Sequence, residues 1–205
     1  MEMDSKIFAF IYVAAMRDAT LQLSYKGEKA WLTDCDRFPV STKALKDFVA
    51  EVIADSFQNQ NKFDEKFIDV AKTLSDEINT LANNDEFTFG NAQKLINIMV
   101  KYFYLHTYGN DNGKKAFRFC HCPMDQQLLD SVWKSRNGLS KSTREDLGGF
   151  ANFKRSWGNE QFALNEGKVD FPPRYKAFQK AIKELADNKK VFPIEYDFFI
   201  WNITQ

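Results

Sequence analysis

One segment, residues 88–106, is apolar over more than half of the circumference that it would have as a helix. A helix with so little polar surface has to be covered by other elements. The apolar positions are Ala92, Leu95, Ile96, Ile98, Met99, Val100, Tyr102, Phe103 and Leu105, and the remaining arc holds Gln93, Lys94, Asn97, Lys101 and Tyr104. The pattern predicts a buried central helix whose narrow polar arc faces water.

Amphipathic helices are predicted on both sides of this segment. Residues 63–81 place an apolar side chain every third or fourth position, which is typical of one helical stripe, and we expect Asn61 to cap it. Residues 41–53 repeat the pattern, so these two helices should form an antiparallel pair. Residues 7–19 are predicted to be helical, and prolines at 172–173 and at 193 should begin two further helices.

The sequence therefore predicts an all-α or mainly α helical bundle with one domain spanning residues 1–205. Its length fits one ordinary domain, and no linker, repeat or low-complexity tract divides it. Residues 21–32 are ambiguous, because alternating apolar positions there also fit a small hairpin. Residues 135–167 are polar and weakly periodic, so loops and short helical turns are expected there.

Charge, cysteine content and hydropathy indicate a soluble cytoplasmic protein. The chain carries 28 cationic and 28 anionic side chains, which argues against a surface built wholly for nucleic acid or membrane. Its 3 cysteines and the lack of a secretory signal favour reduced thiols. The apolar run 7–16 is too short to span a membrane, so no membrane association is expected. The oligomeric state is left open.

The cluster Cys120-His121-Cys122-Pro123-Met124-Asp125 contains reactive residue types in close sequence. Its spacing is poor for zinc, since structural sites usually pair ligands separated by two or more residues, and no metal is expected. Pro123 should begin a short helix through Trp133. A nucleophilic Cys122 at that helix start is an alternative, but buried small cysteines beside a hydrogen-bonded His121 account for the same residues.

Basic and aromatic side chains are interleaved in residues 113–155, which carry 9 Lys or Arg against 4 Asp or Glu, whereas residues 1–100 carry 11 against 16. Cations for phosphate and rings for stacking are typical of nucleic-acid and nucleotide sites. The candidate ligand-binding residues are Lys114, Lys115, Arg118, Trp133, Arg136, Lys154 and Arg155. The alternative is a solvated flank that pairs electrostatically with the acidic half of the chain.

Two strings, Phe-Gly-Asn-Ala-Gln-Lys at 89–94 and His-Cys-Pro-Met-Asp at 121–125, resemble a pattern found in small helical proteins of bacteria and phages. The resemblance implies that the central helix and the His-Cys-Pro turn form one structural unit. It implies no activity and no cofactor. If the unit is functional, its candidate residues Gln93, Lys94, Asn97, His121 and Asp125 should meet at one cleft.

Three classes of function follow from these patterns, the last of them a structural or interaction subunit that forms oligomers through an aromatic surface. The first is a non-catalytic binding protein for an anionic ligand, either nucleic acid or nucleotide, or for a protein partner, through residues 113–155. The second is an enzyme with a polar site formed by His121, Asp125 and Lys94. No motif for a nucleotide, zinc or acyl-transfer site is found, so no cofactor is predicted, and the sequence does not decide whether the chain is an enzyme.

Overall fold

The computed structural model describes residues 4–20, 26–106, 111–150 and 157–200. The described chain is mainly α-helical, as the sequence predicts. Its helices are α1 (Ser5–Thr20), α2 (Pro39–Ile53), α3 (Gln60–Ala82), α4 (Phe89–His106), α5 (Asp111–Lys115), α6 (Gln126–Ser135), α7 (Lys141–Gly148), α8 (Pro173–Lys189) and α9 (Pro193–Ile200). Short 3-10 helices lie at Ala30–Thr33, Cys35–Arg37, Arg136–Gly138 and Trp157–Asn159.

Helix α4 is the buried central helix that the sequence predicts, within one residue at its start. It packs against α1 and α3, while α2 packs on α3. Helices α6, α7 and α9 contact α8, and α1–α4 and α6–α9 all contribute residues to one hydrophobic core. Large rings fill that core because they bury more apolar area than other side chains.

The polar arc of α4 does not face water, contrary to the expectation from its amphipathic pattern. Gln93, Asn97 and Tyr104 are buried, whereas Lys94 and Lys101 are partly exposed. Buried amides need hydrogen-bond partners, and those of α4 find them in backbone groups of a neighbouring segment, as shown below.

Two helix starts differ from the sequence prediction. The cap of α3 is Asn59, two residues before the expected Asn61, and its side chain accepts a hydrogen bond from the backbone N–H of Lys62 at 3.0 Å. Helix α6 begins at Gln126 and is capped by Asp125, which accepts from the N–H of Leu128 at 2.8 Å. Carboxylate and amide oxygens satisfy the first free N–H groups of a helix, and Asn59 and Asp125 supply those oxygens here.

A two-stranded antiparallel hairpin connects β1 (Ala163–Asn165) to β2 (Lys168–Asp170). The hairpin considered for residues 21–32 is not supported at its second limb, because Ala30–Thr33 is a 3-10 helix. Its first limb, 21–25, lies outside the described residues. Within the ranges that the structure describes, no helix combines the length and the hydropathy needed to cross a membrane.

The start of α4 is fixed by a close backbone contact with Trp157–Asn159. The N–H of Gly90 donates to the carbonyl of Glu160 at 3.0 Å, and the hydroxyl of Thr88 donates to the carbonyl of Gly158 at 2.7 Å. A Cβ atom added at Gly90 would lie 1.6 Å from the carbonyl oxygen of Trp157. Glycine is therefore required at this position for α4 to reach its neighbour.

Candidate ligand-binding site at His121

Residues 120–125 form a buried segment without helix or strand structure, here called the 120–125 segment. Cys120, Cys122 and Met124 are at most 1% exposed. A buried backbone that lacks a regular partner must find its hydrogen bonds elsewhere.

Side-chain amides of α4 and α8 supply those bonds. Gln93 donates to the carbonyl of Met124 at 3.3 Å and accepts from the N–H of Met124 at the same distance. Gln179 pairs in the same two-way manner with Cys122, donating at 2.8 Å and accepting at 3.2 Å. Each glutamine thus takes the place that the peptide group of an adjacent strand would have. The predicted structural link between α4 and the His-Cys-Pro turn is present as these hydrogen bonds.

His121 is 8% exposed and is surrounded by rings. The ring centroids of Phe63, Phe67, Phe171 and Tyr175 lie 5.2–5.7 Å from that of His121. Phe63 and Phe67 belong to α3, Tyr175 lies in the first turn of α8, and Phe171 lies two positions before that helix begins. They hold the imidazole in one orientation, which fixes where its two nitrogens point.

The imidazole of His121 lies within a chain of hydrogen bonds. Its Nδ1 is 2.9 Å from the hydroxyl of Tyr175, and its Nε2 is 3.1 Å from Oδ1 of Asp64. Asn97 donates to the Tyr175 oxygen at 3.1 Å, so the phenol proton is directed to Nδ1. Burial raises the pKa of the Tyr175 phenol well above its usual value, which keeps this donor protonated.

The hydrogen-bond partners also assign the tautomer of the neutral ring. Gln60 lies 3.3 Å from Nε2 of His121, but its two amide protons go to Oδ1 of Asp64 at 2.8 Å and to the carbonyl of Phe119 at 3.0 Å. Nε2 therefore carries its own proton and donates it to Asp64, while Nδ1 accepts from Tyr175. Asp64 Oδ1 receives two donors, which orients the carboxylate.

A cavity of about 250 Å³ lies beside this chain of hydrogen bonds. Its lining residues are Gln60, Asp64, Phe119, His121, Phe171, Tyr175, Lys176, Gln179, Lys180, Lys183 and Pro193. Sites for drug-sized ligands usually have roughly 300–1,000 Å³, so this cavity suits a smaller molecule. Both apolar rings and titratable groups are available to such a molecule.

Three lysines of α8 form the outer part of the cavity. Lys176, Lys180 and Lys183 follow one another at four and three positions and share one helix face. Their side chains are 51%, 49% and 57% exposed, whereas His121 is almost buried, so the polar chain lies at the deep end. Each lysine pairs with a surface carboxylate, of Asp170, Asp146 and Asp187 respectively.

Lys94 and Asp125 do not line this cavity. Lys94 donates to the carbonyl of Asp18 at 2.9 Å and pairs with its carboxylate at 3.6 Å. Asp125 caps α6, and burial raises its pKa above the usual value. Of the five residues expected at one cleft, only His121 therefore lines the cavity. Asn97 is linked to it indirectly, through its hydrogen bond to Tyr175, and Gln93 is hydrogen-bonded to Met124.

The basic segment is divided among separate local contacts. Arg118 pairs with the carboxylate of Asp55 and stacks on Phe119, with the guanidinium 4.4 Å from the ring centroid. Arg136 stacks on Trp133 at 4.8 Å and donates to its carbonyl at 2.7 Å. The Arg118–Asp55 pair joins the basic segment to the acidic half of the chain.

The other residues of this segment lie elsewhere. Lys114 and Lys115 are at the end of the short helix α5. Beyond the basic segment, Trp157 is buried in the core with the guanidinium of Arg174 over its face, 4.2 Å from the ring centroid. Lys154 and Arg155 lie outside the described residues.

The two cysteines of the 120–125 segment do not have the surroundings of a reactive nucleophile or a metal ligand. Cys120 and Cys122 are buried, and burial raises the pKa of both thiols well above the usual value. Cys122 also lies three residues before the cap of α6, away from the helix start. In the part of the chain that the structure describes, no group of three His, Cys, Asp or Glu side chains is placed to hold a metal ion.

A larger depression of about 600 Å³ is lined by Glu28, Trp31, Arg37, Leu81, Ala82 and Asn84. None of these residues is buried, and Arg37 pairs with Asp34 at 3.3 Å. Its polar groups lie on the open surface, whereas those of the smaller His121 cavity include a buried chain of hydrogen bonds, so the His121 cavity is the stronger candidate site.

Sequence reasoning missed Gln60, Asp64, Tyr175, Gln179 and the three lysines of α8. The helical pattern of residues 63–81 does not show which neighbour approaches Asp64. The spacing of Lys176, Lys180 and Lys183 was a usable signal, since it places three cations on one face next to the buried Tyr175 and Gln179.

Comparison with known proteins provides no further assignment. No protein-family model, no curated protein sequence and no solved structure matches the chain.

Proposed function

We propose that this protein binds a small anionic molecule in the His121 cavity and acts as a binding protein. The observation that carries the proposal is the cavity itself, which combines an oriented polar chain at its deep end with three lysines at its outer part. Lysine ammonium groups attract carboxylate and phosphate through charge-assisted hydrogen bonds.

Each of the three lysines is about half exposed, so its ammonium group can exchange its present partner for a ligand. Of their present carboxylate partners, Asp146 and Asp187 are 50% and 62% exposed and Asp170 is 24% exposed, and ion pairs between exposed side chains contribute only about 0–1 kcal/mol each. An anionic ligand in a partly enclosed cavity would therefore compete well for them. Phe119, Phe171 and Pro193 would cover an apolar part of the same molecule.

His121 orients the site and is not its proton carrier in this proposal. Both ring nitrogens are occupied, by Asp64 and by Tyr175, so neither is available to a ligand without breaking the chain of hydrogen bonds. This supports binding over acid–base catalysis by His121.

The test uses 4-methylpentanoate, which joins a carboxylate to a branched apolar group, and 4-methylpentanamide as the uncharged control. The 2 histidines of the chain give few ring signals, so NMR can follow His121 during a titration. We expect the carboxylate to shift the His121 signals and the amide to leave them unchanged. Equal shifts with both compounds, or none with the carboxylate, would contradict the proposal.

The wider prediction concerns residues 113–155 as a surface for nucleic acid, a nucleotide or a protein partner. It stays a prediction, as does a cytoplasmic location, with which the three free cysteines are consistent. Binding of a labelled single-stranded oligonucleotide at low salt, weakened as salt rises, would support the nucleic-acid form. Absence of binding at low salt would remove it.

A further inference from the structure

Asp64 is an unexpected side chain in a cavity for anions. Its carboxylate lines the cavity and is 33% exposed, in contrast to the nearly buried His121 beside it. A ligand that is only anionic would bring a second negative charge close to this one, which costs free energy in a partly enclosed site.

The two oxygens of Asp64 have different roles. Oδ1 accepts from Nε2 of His121 at 3.1 Å and from Gln60 at 2.8 Å, so its position is set by two donors from the protein. Among residues 4–20, 26–106, 111–150 and 157–200, no side chain or backbone group donates to Oδ2. A carboxylate held at one oxygen leaves the other for a donor on the ligand.

Positive charge lies on a different helix of the same cavity. Asp64 belongs to α3, and Lys176, Lys180 and Lys183 belong to α8. A molecule that satisfies both walls needs a cationic donor toward α3 and an anionic group toward α8. Between them, Phe119 and Phe171 offer contact to an apolar side group.

Resting on the proposed function, we infer that the ligand is a small zwitterion of the amino-acid type, whose ammonium group donates to Oδ2 of Asp64 and whose carboxylate meets the lysines of α8. The cavity would hold about eight water molecules at roughly 30 Å³ each, which is the size range of an amino acid with a short apolar side chain. Asp64 thereby becomes the residue that selects against simple anions.

The experiment compares three compounds that share one branched apolar group, by calorimetry on the full chain. These are leucine, 4-methylpentanoate, which lacks the amine, and 3-methylbutylamine, which lacks the carboxylate. We expect leucine to bind at least about tenfold more tightly than either of the others, since a charge-assisted hydrogen bond is worth that much.

Two variants locate the selection. In Asp64→Asn the acceptor for Gln60 and His121 is retained, but the preference for leucine over 4-methylpentanoate should disappear. In Lys180→Gln both compounds should weaken while their ratio remains. A circular dichroism spectrum and a melting curve for each variant control for folding.

The outcomes separate the two proposals. If 4-methylpentanoate binds wild-type protein as tightly as leucine, or if Asp64→Asn keeps the full preference, the zwitterion inference is wrong and anion binding stands. If neither carboxylate binds, both proposals are wrong.

Discussion

Helices α4 and α8 both hydrogen-bond to the 120–125 segment, but they use their polar residues differently. In α4 the amides of Gln93 and Asn97 are buried, and their bonds go to backbone, to each other and to Tyr175. In α8 one amide, that of Gln179, has the same role, while the lysines on the adjoining face remain half exposed. The amides of α4 thus serve the fold alone, whereas the lysines of α8 are accessible to solvent and to a ligand.

This difference teaches how to read polar residues on apolar helices. An amide on an almost wholly apolar helix indicates an irregular backbone segment nearby that needs donors and acceptors. Lysines on an amphipathic helix indicate its solvent-exposed face. Whether they bind a ligand depends on whether a cavity lies beside that face.

The largest loss of stability is expected where the start of α4 contacts the backbone of Trp157, because α4 has the architectural role in this comparison. In Gly90→Ala the new Cβ would lie 1.6 Å from a backbone oxygen that cannot rotate away. We expect a loss of unfolding free energy at or above the upper end of the usual overpacking range of about 1–3 kcal/mol, measured by urea denaturation. Gly148→Ala is the control, since nothing lies within 4 Å of a Cβ there, and it should change stability by less than about 1 kcal/mol. Similar losses in both variants would contradict the argument.

If the amides of α4 have an architectural role, Gln93→Leu should lower the free energy of unfolding by a large amount. The variant keeps the volume but leaves the N–H and carbonyl of Met124 without their partner, at about 1–3 kcal/mol for each buried group. Gln127→Leu makes the same chemical change at an exposed position of α6 and should stay within about 0.5 kcal/mol. Denaturation of the two variants side by side gives the measurement, and a Gln93→Leu protein as stable as wild type would remove the architectural role.

Asp125 gives a prediction that depends on pH. Burial raises the pKa of this carboxyl in the folded protein, so the folded state favours the protonated form, and stability is lost as pH rises from the unfolded pKa through the folded one. Asp125→Asn keeps a capping side chain without titrating, and its stability relative to wild type should therefore rise across that window. Asp125→Ala removes the cap and should cost about 1 kcal/mol. Melting temperatures measured from pH 4 to pH 8 test this, and a constant difference between Asp125→Asn and wild type would refute it.

The smallest effect on stability is expected on α8. Lys180→Gln breaks an exposed pair with Asp146 and should change the free energy of unfolding by no more than about 0.5–1 kcal/mol. Its effect should instead appear in carboxylate binding, where the affinity falls. A variant that loses stability but keeps its affinity would reverse the roles assigned to the two helices.

The fold followed from the sequence to a large extent, because helical periodicity records which face of each helix is covered. The central helix, the α2–α3 pair and the helices begun by prolines at 173 and 193 were all predicted within a few residues. Helix starts at α3 and α6 were misplaced, since Asn59 and Asn61, or Cys122 and Asp125, compete as caps and only packing decides between them.

The site was predictable only in part. His121 stood out as a residue type, but its partners Asp64 and Tyr175 are 57 residues before and 54 residues after it, and such pairings leave no local pattern. Lys94 and Asp125 were grouped with His121 because all three belong to the strings at 89–94 and 121–125. The side chain of Lys94 instead contacts Asp18, and that of Asp125 caps α6.

The hydrogen bonds of Gln93 and Gln179 to the 120–125 segment also make it possible to follow which helix separates first when the protein unfolds. The N–H of Cys122 donates to Gln179 of α8, and the N–H of Met124, two positions away, donates to Gln93 of α4. These two amides therefore report on Gln93 and Gln179, which are 86 positions apart in the chain. If α8 detaches while the N-terminal helices stay assembled, hydrogen exchange at Cys122 should speed up before exchange at Met124. The order of their exchange rates would show which end of the bundle is released first.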